Sequence, residues 1–524
     1  MTSPSPNPFA LPSRPHIDHL RRQARDLLRA WRAGDPAALA RTADYHLPEP
    51  LRLAGAQLVI AREHSFDSWP RLVAAVEQQR AQALSDAEFV ERVLALALGR
   101  GYASPQPARA LALAGTRSLR SGPLATVVAL VLGDLPAVQR SLGDVQTLLA
   151  PWDAPALVYA AFSSLARLPE HQPRLVQTVQ WLLEQGADPN AGLHEPAFPE
   201  HPLPALFGAV ARASCLATTE ALLRAGADPN DNESLYHATE QTDRRLLAAL
   251  VQAGARWNGT NALLRQLDHD DLDGLRQALD LGADPNEASP DGVPPLHHAL
   301  QRGRGLPFLQ LMVERGADPL ARDTHGHTAA LMAAHSGDTQ TLAWLISQGV
   351  PSPVAEPAQA FLAACAAGDE ASARAYVAQH PDAVATLDPI GLRLLPDQAQ
   401  RGRLDAVRLM LSLGWPVATR GDWDASALNQ AAFRGDAAMV QQLLAHGARW
   451  HEPNGFGGNA LGSCLHAACH QPDAAGDYAA VLALLLDDGA PPPTNLDDLP
   501  EPLQDLLLSP RAAPGSAATT SAAP

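Results

Sequence analysis

Apolar residues recur along this chain in short runs at helical spacing, and run after run stops at a glycine. Leu342-Ala343-Trp344-Leu345-Ile346 leads into Gly349, and Val440-Gln441-Gln442-Leu443-Leu444 into Gly447. A glycine just past the last apolar residue suits the left-handed position that ends a helix, where a Cβ is penalised. A second glycine often stands twelve residues earlier, as Gly337, Gly402 and Gly435 do, so each pair brackets one helix. In front of it the pattern predicts an Ala-rich helix opened by a turn, most clearly in Asp291-Gly292-Val293-Pro294-Pro295-Leu296-His297-His298-Ala299. Ahead of these pairs, Ile17 to Ala33 reads as an Arg-rich amphipathic helix ending at Gly34-Asp35-Pro36. Leu51 to Arg62 reads as another, and a third follows His64-Ser65-Phe66-Asp67-Ser68-Trp69-Pro70 to about Gln82.

The pairs repeat. Gly-Ala-Asp-Pro-Asn stands at Gly186 to Asn190, Gly226 to Asn230 and Gly282 to Asn286, with Gly-Ala-Asp-Pro-Leu at Gly316 to Leu320. Looser copies begin at Gly254, Gly349, Gly414, Gly447 and Gly489. Steps of 34 and 33 lead from Gly282 through Gly316 to Gly349, and 33 separates Gly414 from Gly447. Steps of 40 to Gly226 and 42 to Gly489 imply insertions, and the two steps of 28 through Gly254 imply shortened hairpins. A period of this length marks a stack in which each unit buries its faces on its neighbours.

These residues resemble the ankyrin repeat: a β-turn, a first helix opened by Thr-Pro-Leu-His, a tight turn, a second helix and Gly-Ala-Asp. Partial copies of the opening are Thr328-Ala329-Ala330-Leu331, Ser426-Ala427-Leu428-Asn429 and Ser463-Cys464-Leu465-His466. The leader, with Glu233-Ser234-Leu235-Tyr236-His237-Ala238-Thr239 and Asn261-Ala262-Leu263-Leu264, looks like a largely uncharacterised bacterial group of ankyrin proteins. The resemblance implies an all-α, ankyrin-type helix-turn-helix solenoid with β-turn or hairpin loops behind a helical leader. The expected map is a disordered tail at 1–14, a helical leader or cap at 15–84, degenerate helical repeats at 85–151 and ankyrin repeats at 152–490. A C-terminal helical cap at 491–509 and a disordered tail at 510–524 complete it.

Composition narrows the function. Hydrophobic residues are 46% of the 524 and aromatics 5%, so the core is built from Ala, Leu and Val. All 39 basic residues are arginine, which removes Schiff-base lysine chemistry and the P-loop lysine. A net charge of -17 opposes phosphate backbones and anionic membrane surfaces, so no nucleic acid and no membrane partner is expected. Four scattered cysteines fit a reducing cytoplasm better than a disulfide framework, and no stretch of about 18 apolar residues appears.

The clusters that imitate chemistry read better as repeat positions. In Cys464-Leu465-His466-Ala467-Ala468-Cys469-His470 a helix would place the two histidines on one face and the cysteines elsewhere, which does not gather a tetrahedral ion. His466, like His297, is expected to hydrogen-bond backbone in the adjacent turn. Asp268-His269-Asp270-Asp271-Leu272-Asp273 has Leu272 and Asp273 where a calcium loop needs an oxygen ligand and a glycine, so helix capping is expected there instead. Gly-x-Ser-x-Gly, His-Glu-x-x-His and a phosphate loop do not occur in the sequence.

The expectation is therefore an intracellular protein-binding scaffold or regulator, monomeric, without catalytic residues, metal or cofactor, whose partner is a protein. Two alternatives stay open: an effector enzyme in the atypical region 85–151, and a small-molecule sensor with a closed polar pocket. Contact residues are expected on the last hairpins, at Arg420, Trp423, Arg449, His451, Asn454 and Phe456, and on the insertion between Ala191 and Pro204, at His194 and Phe198. Trp257 and Trp450 follow Gly-Ala-Arg and are expected to pack between units.

Overall fold

A computed structural model describes residues 11–12, 15–45, 47, 51–101, 103–119, 121–196, 198–353, 357–493, 496 and 499–508. The tails expected at 1–14 and 510–524 fall almost wholly outside these residues. The chain is all-α and divides into two compact units. A central unit comprises Glu77–Ala334 and Asp338–Val354; a terminal unit comprises Met1–Val76, His335–Gly337 and Ala355–Pro524.

In the central unit, helix pairs follow one another as the glycine period predicts: Gln172–Glu184, Leu216–Arg224, Arg245–Gln252, Leu272–Asp280 and Leu306–Glu314 are second helices stacked in sequence order. Their buried leucines, among them Leu182, Leu222, Leu250, Leu275 and Leu309, run into one continuous core. Burial of a stripe on each short helix against its neighbours, more than helix propensity, holds such pieces folded. The region expected to be degenerate is also helical, with Asp86–Leu98, Pro107–Ala114, Pro123–Leu132 and Leu135–Ser141 feeding Phe89, Leu98 and Leu130 into the same core. Two hairpins interrupt the helices. In β1 (Leu148–Leu149) and β2 (Ala154–Pro155), Leu149 pairs with Ala154; in β3 (Gly192–Glu195) and β4 (Phe198–Pro204), Leu193 pairs with Leu203. The second is the insertion behind the 40-residue step.

Asparagine side chains join successive hairpins of this unit. Asn190 Nδ2 donates to the Gly226 carbonyl at 3.2 Å while its Oδ1 accepts from the Asp228 N–H at 2.8 Å. Asn230 repeats the bridge to Gly254 O and Arg256 N, and Asn286 to Gly316 O and Asp318 N. Leu320 takes the fourth place in the series, and its side chain is exposed.

In the terminal unit the same helix pairs recur at Leu394–Gln400 with Leu404–Ser412, Ala427–Arg434 with Ala437–Ala445, and Ala460–His470 with Tyr478–Asp487. Gly435 needs its glycine twice over: φ is +70°, and a Cβ there would stand 2.8 Å from Gly476 Cα, where the insertion before Tyr478 returns. One expected register is corrected. Ser463-Cys464-Leu465-His466 does not open a helix, because the helix already begins at Ala460 behind an Asn459 cap whose side chain accepts from Gly462 N–H. Asn459-Ala460-Leu461-Gly462, 33 residues after Ser426, is the copy in register. His466 is consequently exposed, its ring 4.9 Å from that of His470, and does not take the backbone-bonding role expected of it. That role falls to His297, whose Nε2 bonds His327 O at 2.8 Å, and to Asn429, whose Nδ2 donates to Glu452 O.

The leader forms α1 (Ile17–Arg32), α2 (Pro36–Ala43), α3 (Leu53–Glu63) and α4 (Trp69–Gln82). Leu20, Ala24, Leu27 and Leu28 of α1 meet Val59, Ile60, Leu72 and Val76 in a core of their own. That core is completed from the far end of the sequence by Leu496 and Leu508. Within this unit the leader thus packs on the helix Glu501–Leu508, the only one described beyond Asp487.

Candidate functional site

The hairpin after Leu404–Ser412 closes through an Arg420 to Ser426 bridge and a Gly421 N–H bond to Ala425 O. Its tip, Asp422–Asp424, is one short turn in which Trp423 has φ +59° and Asp424 φ +49°. A bulky residue in left-handed conformation is strained and persists only where its surroundings determine it. Three contacts do so here. Arg393 holds the buried Asp422 carboxylate, Gln430 Nε2 donates to Asp422 O, and Gly455 N–H donates to Trp423 O at 2.7 Å. The last contact needs glycine, since a Cβ at 455 would lie 2.8 Å from that oxygen.

The next tip is built by Asn454, whose Oδ1 accepts from the N–H groups of Phe456 and Gly458, both at 3.0 Å. Arg420 ties the two hairpins by donating to Pro453 O as well as Asp424 O. The rings of Trp423 and Phe456 then stand 5.5 Å apart at 35°. Trp423 is 38% and Phe456 77% exposed, the two aromatics among the large apolar side chains left exposed in the described residues. Desolvated aromatic anchors on a pre-set backbone lose little entropy on contact.

Of the eight expected contact residues, the structure brings Arg420, Trp423, Asn454 and Phe456 together. Arg449 and His451 lie exposed at the base of the second hairpin, where Glu452 accepts from the Arg449 N–H and the His451 ring meets Trp450 edge-on. His194 and Phe198 belong to the β3–β4 hairpin of the other unit; His194 is exposed. Trp257 is buried, its Nε1 donating to Leu281 O, and Trp450 is half-buried. Beneath the Trp423 tip, Arg393 also reaches Asp397 at 3.3 Å. Burial pushes the Asp397 carboxyl up to about 6, against the opposing pull of Arg393 and Arg401.

A second cluster escaped the sequence reading. His237, Arg265 and His298 occupy one place in successive first helices of the central unit, with Glu240 and Asp268 one turn on. Glu240 accepts from Arg265 at 2.7 Å and bonds His237 at 2.9 Å; Asp268 accepts from Arg302 at 2.6 Å and bonds His298 at 2.9 Å. Arg265 also lies 5.3 Å from the Tyr236 ring centre. Burial opposes the His237 cation, but hydrogen bonds to Glu233 and Glu240 overcome it and lift its pKa to about 9. Burial likewise opposes the Asp268 anion, and His298 and Arg302 bring it down to about 2. Through Arg265–Glu240 and His298–Asp268 this ladder ties three successive first helices together. Asp271, beyond it, caps Leu272–Asp280 by accepting from Gly274 N–H, as expected of that acidic run. Two open clefts, of about 130 and 360 Å3, lie along the same unit's hairpins, the first lined by Trp257, Leu264 and Glu287 among others and the second by Pro285, Pro294 and Arg322 among others.

No family model matches the chain, and no curated protein does. Among solved structures it is similar to the ankyrin repeat domain of human ASB11, at 21% identity over 44% of this chain and 99% of that one, with a TM-score of 0.21. At that score the likeness carries no argument, and the helical repeat rests on the period and geometry described above.

Proposed function

We propose that this chain is an intracellular binding scaffold of ankyrin type, one that recognises a protein partner and carries out no chemistry of its own. The observation that carries this reading is the Trp423–Phe456 pair, two exposed rings held side by side on backbone that is strained and fixed by cross-hairpin bonds. Arg420 and Asn454 serve the site as its frame, and Arg449 and His451 supply polar contacts at its edge. The net charge of -17 makes nucleic acid and anionic membrane poor partners, and no described helix is long and apolar enough to cross a membrane. Against catalysis in 85–151 stands the use of its helices as further core-forming pairs.

The test is affinity capture from native cytosol with the full chain and with Trp423→Ala/Phe456→Ala, identified by mass spectrometry. The reading expects a partner held by the first and lost by the second while helix content and melting stay the same. A partner retained by the double variant removes the assignment of this site.

A further inference from the structure

The helix Glu501–Leu508 has two apolar sides. Leu503 is buried in the repeat core, Leu508 in the leader core, and Leu499 and Leu507 pack against both. Its exposed flank carries Glu501 and Asp505 and no basic residue. Onto that flank the leader delivers arginine. Arg32, at the end of α1, donates to the Asp505 carboxylate at 2.6 Å and to its backbone carbonyl at 3.3 Å, and Arg52, ahead of α3, pairs with Glu501. The α1 helix is suited to this in composition, with five arginines and two aspartates on a helix whose Leu20, Ala24, Leu27 and Leu28 form one buried stripe. Among the described residues most of the leader core comes from 20–76, with Leu496 and Leu508 alone buried into it from outside, so the leader is a small bundle seated on a limited surface.

We infer that the surface formed by Leu496, Glu501, Asp505 and Leu508 is a docking site for an arginine-bearing amphipathic helix, filled in cis by the leader and open in trans to a partner helix of the same chemistry. The occupant follows from the molecule itself: the apolar stripe of α1 ends in Arg32 against Asp505, and Arg52, ahead of α3, brings a second arginine to Glu501. Pairing of opposite charge on partly exposed side chains, 18% for Arg32 and 56% for Arg52, makes the contact sensitive to salt. A tethered segment competes at high effective concentration, so the leader acts as a clasp that a free helix displaces once its arginine pairs are weakened. This surface is separate from the Trp423–Phe456 site, and each stands or falls alone.

The test uses the full chain and a fluorescent synthetic peptide of residues 15–66. Arg32→Asp/Arg52→Asp loosens the clasp, and Glu501→Gln/Asp505→Asn removes the site's charge while keeping its shape. Hydrogen exchange is read on α1 and on 501–508. The inference expects exchange in both segments to rise together in the arginine variant, and in the unaltered chain as salt is raised. It expects the peptide to bind the arginine variant at least tenfold more tightly than the unaltered chain, and the neutralised-site variant no better than background. Unchanged protection in the arginine variant overturns the clasp, and equal peptide binding to all three chains overturns the docking site. Should the arginine variant unfold, Arg52→Asp alone and the salt series of the unaltered chain decide the same question.

Discussion

Hairpins in the two units are joined by different polar groups. In the central unit Asn190, Asn230 and Asn286 reach the backbone of the following hairpin, and behind them Glu240, Arg265, Asp268 and His298 join three first helices. In the terminal unit the corresponding places after Gly414 and Gly447 are Ala418 and His451, and the hairpins are joined instead by Arg420 to Pro453 O and by Gly455 N–H to Trp423 O, bonds that also set two aromatic rings side by side. Both sets of repeats are bonded to themselves, the first through asparagine and a charge ladder, the second through tips that leave two rings exposed. Repeats that share an architecture can therefore be tied together by quite different residues.

The contrast breaks most forcefully at Asp268. Replacing it with Ala takes away the acceptor shared by His298 and Arg302 in a mostly buried setting, and about 3 kcal/mol of central-unit stability should go with it, read by chemical denaturation. Next in size is pH. His237 has its pKa raised to about 9, so its pairing with Glu233 and Glu240 stabilises fully below its ordinary value near 6.5 and is lost as pH rises through 9. The loss should be about 2 kcal/mol after solvent screening. Asp397 has its pKa raised to about 6, so the folded terminal unit holds that proton more tightly than the unfolded chain and gains stability as pH falls from 6 toward 4. Calorimetry with hydrogen exchange assigned to each unit should show both losing stability as pH rises, the terminal unit between about 4 and 6 and the central unit between about 6.5 and 9; losses in one shared window would remove the distinction.

Much of this was legible in the sequence, for identifiable reasons. Glycines at fixed intervals mark helix ends whatever surrounds them, so the pairs ending at Gly349, Gly414 and Gly447 follow from letters alone. Ser463-Cys464-Leu465-His466 misleads because its letters imitate the opening signature, while the true cap, Asn459, is four residues earlier and marked only by the 33-residue step. The charge ladder stays hidden because Arg265 interrupts the histidines at the position shared by His237 and His298, and the carboxylates met by Arg265 and His298 come from the preceding repeats. Docking of the leader on Leu508 lies beyond any local pattern, since complementary surfaces more than 400 residues apart leave no shared period. Trp423 and Phe456 were readable as outliers in the repeat, but their pairing depends on Gly455 admitting the Trp423 carbonyl.

Smaller effects sharpen the comparison. Asn230→Ala should lose its two bridging bonds at a cost of about 1 kcal/mol, because water reaches the freed Gly254 and Arg256 groups, and thermal melting measures it. Smallest of all should be Trp423→Gly, where relief of a left-handed backbone offsets the lost ring contact to within about 0.5 kcal/mol. A tryptophan removed without loss of melting temperature, but with loss of the captured partner, would separate display from support; a drop above about 2 kcal/mol would make Trp423 a structural residue.

Because the leader core closes on Leu496 and Leu508, it is unfinished until those residues are made. Val76 leaves the ribosome roughly 430 residues ahead of Leu508, and at about 5–20 residues per second the wait is roughly 20 to 90 s. During that interval the central unit can assemble pair by pair, while the leader helices made before it wait for their last partners.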